Sequence, residues 1–191
     1  MNFFKKLLVA SSLMVGAAAL VPQAAQATVV NFDSLTGSGV LANGYGGINW
    51  NGSWNYYDSL QSPYTAQSGK ERIYSTLGLS NPGVAFNFIA NSIFQGAFVS
   101  GHGFEAVSFD MYMGGILKAT SSVFNPSAVP TFLASGYNGS VDKIVVHGTS
   151  GGFFVLDDVT YASVSTVPVP AAIWLMLTGV AGLAGIRRAR A

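Results

Sequence analysis

Phe104-Glu105-Ala106-Val107-Ser108-Phe109-Asp110-Met111-Tyr112 is the stretch on which the fold turns. Its polar residues interleave with apolar ones at close to every second position, the period of a strand with one face in a core and one in water. No helical spacing of apolar side chains fits it.

The same pattern repeats on both sides. Short apolar or alternating runs are expected as strands at Val29 to Phe32, Gly47 to Trp50, Ile73 to Thr76, Gly83 to Phe88 and Ile93 to Val99. After Phe104 to Tyr112 come Ile116 to Phe124, Thr131 to Ala134, Lys143 to His147 and Gly152 to Tyr161. Asn43-Gly44, Asn81-Pro82-Gly83 and Asn138-Gly139 lie between them and supply the positive φ angles or preset bends of tight turns. Strands this short and this evenly spaced predict an all-β domain, a two-sheet jelly-roll-like sandwich over residues 28–162.

Outside that domain the composition changes. The chain has 191 residues, is 50% hydrophobic and has a formal net charge of +1, but much of the apolar content and five of the nine basic residues sit at the two ends. Between the ends, Lys70, Arg72, Lys118 and Lys143 face eight acids, so the central domain is mildly acidic. That balance offers no basic face to nucleic acid. Cysteine is absent, which excludes disulfides, thiolate metal sites and thiol nucleophiles.

The N-terminus has Lys5 and Lys6, an apolar run from Leu7 to Leu20, and then Ala25-Gln26-Ala27. This is the layout of a secretory signal, with Ala25 and Ala27 small enough for the signal peptidase pocket and Thr28 the expected first residue of the exported chain. At the C-terminus, a linker over residues 163–170 ends in Val167-Pro168-Val169-Pro170. Residues 171–186 follow without a charge, and residues 187–191 carry Arg187, Arg188 and Arg190. Sixteen helical residues reach about 24 Å, short of a hydrocarbon core of about 30 Å, so the arginines must snorkel for this transmembrane helix to span. Positive charge holds its end in the cytoplasm and leaves everything before Pro168 outside. A plain single-pass anchor is the alternative reading of the same residues.

A Pro-x-Pro signature, a short Gly-rich hydrophobic helix and a terminal arginine cluster, in that order, resemble the PEP-CTERM sorting signals. Val167-Pro168-Val169-Pro170-Ala171 is closest to the variant written Val-Pro-Leu-Pro-Ala, and Val169 stands where the family name has Glu. The resemblance implies processing by an exosortase, a membrane-embedded cysteine transpeptidase-like enzyme of Gram-negative bacteria that make extracellular polysaccharide. It implies transient anchoring in the inner membrane, then release to the outer envelope or extracellular matrix. Val30 to Leu35, Gly44 to Asn51 and Phe154 to Val159 also resemble exported proteins of this type with a jelly-roll, carbohydrate-binding-module-like domain. That likeness implies a fold and a location rather than an activity.

Within the domain, Tyr45, Trp50, Trp54, Tyr56, Tyr57 and Tyr64 are interleaved with Asn43, Asn49, Asn51, Asn55, Asp58 and Gln61. Aromatic planes stack on the C–H faces of sugars, and amides and carboxylates match their hydroxyls. Trp54, Asn55, Tyr56 and Tyr57 are therefore the expected glycan contacts, with core packing as the competing reading and Trp50 assigned inward. Asp33 near the first strand, and Asp157 and Asp158 on the last, are candidate oxygen ligands for a structural Ca²⁺. Alternation sends Asp157 and Asp158 to opposite faces unless the strand bulges, and solvated carboxylates are the alternative.

Gly148-Thr149-Ser150-Gly151-Gly152 fits the nucleophile-elbow pattern G-x-S-x-G, but a strand follows it and no histidine lies beyond Ser150. It is expected to be a hairpin loop. His102 and His147 have no companions at metal-ligand spacing. The functional expectation is a non-enzymatic, exosortase-sorted protein associated with an exopolysaccharide or biofilm matrix, with a possible role in binding the polysaccharide itself. A purely structural or adhesive surface protein is one alternative, and a polysaccharide-cleaving enzyme using two of the eight carboxylates is another.

Overall fold

The computed structural model describes residues 26–75 and 83–164. The signal segment up to Ala25, the sorting residues Val167, Pro168, Val169, Pro170, Ala171, Arg187, Arg188 and Arg190, and the turn at Asn81-Pro82 lie outside the described residues. Among the described residues no helix is long and apolar enough to cross a membrane.

Eleven strands are described. They are β1 (Ala27–Val30), β2 (Ser38–Val40), β3 (Ile48–Asn49), β4 (Trp54–Tyr57), β5 (Arg72–Ser75) and β6 (Val84–Gly101). β7 (Ser108–Met113), β8 (Ile116–Thr120), β9 (Thr131–Ala134), β10 (Val141–His147) and β11 (Phe154–Ser163) complete the set. The only helical element among them is a 3₁₀ turn at Tyr45–Gly47. All pairings are antiparallel, in the order β2-β4-β5-β11-β6-β10-β7-β8, with β1 on β11 and β3 and β9 on β6.

This hydrogen-bonded ladder folds into a β-sandwich-like pair of layers because β6 belongs to both. Its first half pairs with β3 and β10, and its second half with β11 and β9. Between the halves Ile89, Ala90 and Asn91 are exposed, and the register slips so that Val141 opposes Ser92 while Lys143 opposes Asn87. A strand that bends in this way turns a corner from one layer to the next. One core fills the space between the layers. Phe86, Phe94, Phe109, Ile144, Val146, Leu156 and both Trp50 and Trp54 belong to it.

Several sequence expectations are corrected. Phe104 to Ala106 is loop rather than strand, Val107 makes an isolated antiparallel bridge to Phe124, and two expected strands fuse into β6. The segment Gly148 to Gly152 is no hairpin, because β10 and β11 lie on opposite sides of β6 and do not pair with each other. Most consequential, residues 54–57, which were not among the expected strands, form β4. Period-two alternation then sends Trp54 and Tyr56 inward and Asn55 and Tyr57 outward. Ala27, at the expected cleavage point, opens β1 opposite Ala162.

The compact unit Ala25–Val164 contains this whole core, so it has what a self-sufficient folding unit requires.

Candidate functional site

The register of β4 against β5 sets Tyr57 opposite Arg72 and Asn55 opposite Tyr74 on the outward face. Diagonal neighbours on one face are within reach of aromatic side chains, and the Tyr57 and Tyr74 rings meet edge to face with centroids 5.4 Å apart. The Arg72 guanidinium lies 3.9 Å over the Tyr57 ring, and Asn55 Nδ2 donates to the Tyr74 hydroxyl at 3.3 Å.

Residues 58–71 cross over this face and are held down by buried polar groups of the sheet. Ser100 Oγ accepts from Thr65 N at 2.9 Å and donates to Thr65 O at 2.6 Å. Asp157 accepts from the backbone of Gln67 and Ser68 at 2.7 and 3.0 Å. Arg72 works in the opposite sense, donating to the carbonyls of Lys70 at 2.8 Å and of Ser59. Its side chain is 2% exposed, its Nε has no hydrogen-bond partner, and no carboxylate among the described residues pairs with it. Three backbone carbonyls and one aromatic face carry the charge instead.

The fixed loop leaves a groove of about 380 Å³ against the outward face. Tyr57, Tyr64 and Tyr74 supply its aromatic walls, Gln61 an amide, and Gly152, Phe154 and Val155 its far side. Burial pushes the Tyr57 phenol up, against the pull of Arg72, and burial followed by the Glu105 charge pushes Tyr64 up. Both hydroxyls therefore stay protonated at neutral pH and act as donors and acceptors. No carboxylate is among the described residues that line the groove. Gln61 and Tyr64 also bound a second hollow of about 280 Å³, which runs toward Leu60, Lys70 and Arg72.

The expected glycan residues separate on this geometry. Tyr57 lines the groove and Asn55 supports its Tyr74 wall. Trp54 is fully buried, with its indole N–H on the Ala85 carbonyl at 3.3 Å, and Tyr56 packs against the core. As exposed sugar platforms, Trp54 and Tyr56 are corrected. Tyr74 was missed, and its signal was its place two residues beyond Arg72 in an expected strand.

The three aspartates proposed for Ca²⁺ converge on one loop. Asp158 takes a positive φ of 47°, the bulge that lets both neighbours turn toward it. Asp33 lies against Gly69, and Asp158 accepts from Ser68 Oγ at 2.9 Å. Yet the Asp157 oxygens are occupied by three backbone N–H groups, from Gln67, Ser68 and Asp158. Among the described residues no group of three or more such side chains is arranged to hold a metal ion. Asp157 and Asp158 thus latch the loop through hydrogen bonds while Asp33 lies against it, so that these oxygens serve the loop backbone and Ser68. Burial, reinforced by Asp158 and opposed by the backbone donors, pushes Asp157 up to about 7.

Sequence reasoning also missed a group of rings beside the groove. His102 contacts Tyr64 edge to face at 5.5 Å and stacks on Phe104 at 5.1 Å. Phe153 meets Phe104 at 5.6 Å. The doublet Phe153-Phe154 was the available hint, since only Phe154 can face the core in a strand that begins there. His147 has a companion that spacing alone hid: its Nε2 is 3.0 Å from Asp110 Oδ2 across the β7–β10 pair.

No protein-family model and no curated protein matches this chain. Among solved structures, the crystal structure of a DUF4465 family protein from Bacteroides ovatus ATCC 8483 is similar over 74% of this chain and 96% of its own. Sequence identity is 9% and the TM-score 0.35, a likeness too slight to carry an argument about fold or function.

Proposed function

We propose that this is an exported, non-enzymatic envelope or matrix protein whose jelly-roll-like domain binds polysaccharide in the Tyr57–Tyr64–Tyr74 groove. The observation that carries the reading is the groove itself. Three tyrosines and Gln61 surround an open trough, offering apolar planes for C–H faces and neutral polar groups for hydroxyls. Cleavage of a glycosidic bond needs two carboxylates across the scissile position. The lining supplies none among the described residues, which favours binding over hydrolysis.

The two addresses supply the location. An Ala-x-Ala signal and the Val167 to Ala171 signature with its arginine-capped helix support export, transient residence in the inner membrane and exosortase processing. The mature protein then belongs to the envelope or exopolysaccharide matrix of a Gram-negative cell.

Affinity electrophoresis of residues 25–164 through gels containing a panel of polysaccharides tests the binding half. At least one polysaccharide should retard the domain, and Tyr57→Ala or Tyr74→Ala should weaken retention about tenfold, or ~1.4 kcal/mol. Free migration in every gel, or retention indifferent to both changes, refutes it. Intact-mass measurement of the exported full-length protein tests the sorting half: loss of the chain beyond the Pro-x-Pro signature is expected, and a retained tail marks a permanent anchor instead.

A further inference from the structure

Three surfaces meet at Tyr64. It walls the tyrosine groove, it bounds the hollow that runs to Leu60 and Lys70, and its ring edge touches His102. Beyond His102 lie Phe104 and Phe153, which are 59% and 45% exposed. Large apolar rings gathered in water mark a contact surface more often than chance exposure does.

These rings are held in place. Their two loops, one leaving β6 and one entering β11, are joined by the carboxylate of Glu105, which is fully buried. One oxygen accepts from the backbone of Thr149 and Ser150 at 3.0 and 3.1 Å, the other from Phe153 N at 2.9 Å. His102 N adds a bond to Phe153 O at 3.0 Å. A buried carboxylate committed to three N–H groups fixes both backbones, so the exposed rings present one preformed geometry and lose little freedom on contact.

We propose that His102, Phe104 and Phe153 form a second sugar subsite, continuous with the tyrosine groove through Tyr64, and that the ligand is a stretch of linear polysaccharide rather than a single sugar. This rests on the reading of the groove as a glycan site. A single pyranose occupies one of the three surfaces around Tyr64. Only a chain reaches from the phenylalanine ridge into the groove, and the hollow beyond Gln61 lets it continue.

The test is calorimetric titration of residues 25–164 with disaccharide, tetrasaccharide and hexasaccharide fragments of a polysaccharide that retards the domain. Affinity should climb at least tenfold from the shortest to the longest. Joint Phe104→Ala and Phe153→Ala substitution should erase that climb while leaving disaccharide affinity unchanged. Tyr74→Ala should instead weaken every length. Glu105→Gln keeps the rings but loosens their loops; it should reduce affinity for the long fragment alone, a split that general loss of structure does not produce. Equal affinity for all lengths, or a climb that survives loss of both phenylalanines, overturns this inference and leaves the groove reading intact. A ridge variant that changes the oligomeric state of sugar-free protein instead assigns the ridge to a protein contact and also overturns it. A domain that binds no polysaccharide removes both readings.

Discussion

Asp157 shows how one side chain links packing to pH. The residue is 2% exposed, and burial pushes its pKa up from 3.8 to about 7, with Asp158 adding to the effect and the backbone donors opposing it. The folded state therefore binds this proton more tightly than the unfolded state. The stability it confers is complete below about pH 4 and is lost as pH rises through 7, by up to roughly 4 kcal/mol. Urea midpoints for residues 25–164 should accordingly fall between pH 5 and pH 8, and Asp157→Asn should flatten that slope. Trp54 makes the complementary case. Its neighbours in sequence suggested a sugar platform, but the structure buries it between Trp50 and Phe86. Trp54→Ala should cost about 3–5 kcal/mol in denaturant unfolding, whereas the exposed-platform reading predicts almost no change.

Among the elements, β6 decides the architecture, and Gly96 decides β6. Val84, Phe86, Phe88 and Phe94 turn inward at even positions, and Ala97 and Val99 at odd ones. The parity changes at Gly96, where φ is 145° and the register with β11 slips. A Cβ there would run into the Leu133 carbonyl of β9. Gly96→Ala should thus destabilise the domain by about 1–3 kcal/mol through backbone strain, with the clash against β9 adding to it, as read by thermal unfolding. Alternation made β7 legible, since it buries every second residue, whereas β10 and β11 were legible from their apolar runs, which are buried on both faces over much of their length. β6 was read as two strands because its bend exposes Ile89 to Asn91, which interrupts the apolar period. β2 and β4 were not seen at all. Their residues, Ser38-Gly39-Val40 and Trp54-Asn55-Tyr56-Tyr57, have turn-rich or largely aromatic composition that masks a period of two.

For the whole molecule, both layers share one core, and that continuity has a measurable consequence. Trp50 and Trp54 sit together with residues from β6, β7, β10 and β11, so no layer has a core to itself. Tryptophan fluorescence and far-UV circular dichroism should report coincident unfolding of residues 25–164 in a single transition; separate midpoints would mean that the layers fold independently. The candidate site was legible in part at this scale. Composition marked residues 43–64 as rich in aromatic and amide groups, and Tyr57, Gln61 and Tyr64 do line the groove. The partners from Tyr74, His102, Phe104 and Phe153 come from distant parts of the chain, and only the pairing of β5, β6 and β11 brings them near. The central claim is that this groove binds polysaccharide, and backbone amide NMR of residues 25–164 during titration with a retained oligosaccharide tests it most directly. Shift changes should concentrate at Tyr57, Gln61, Tyr64, Tyr74 and Gly152. Changes confined to the opposite layer, around Tyr112 and Lys143, or no changes at saturating sugar, would contradict it.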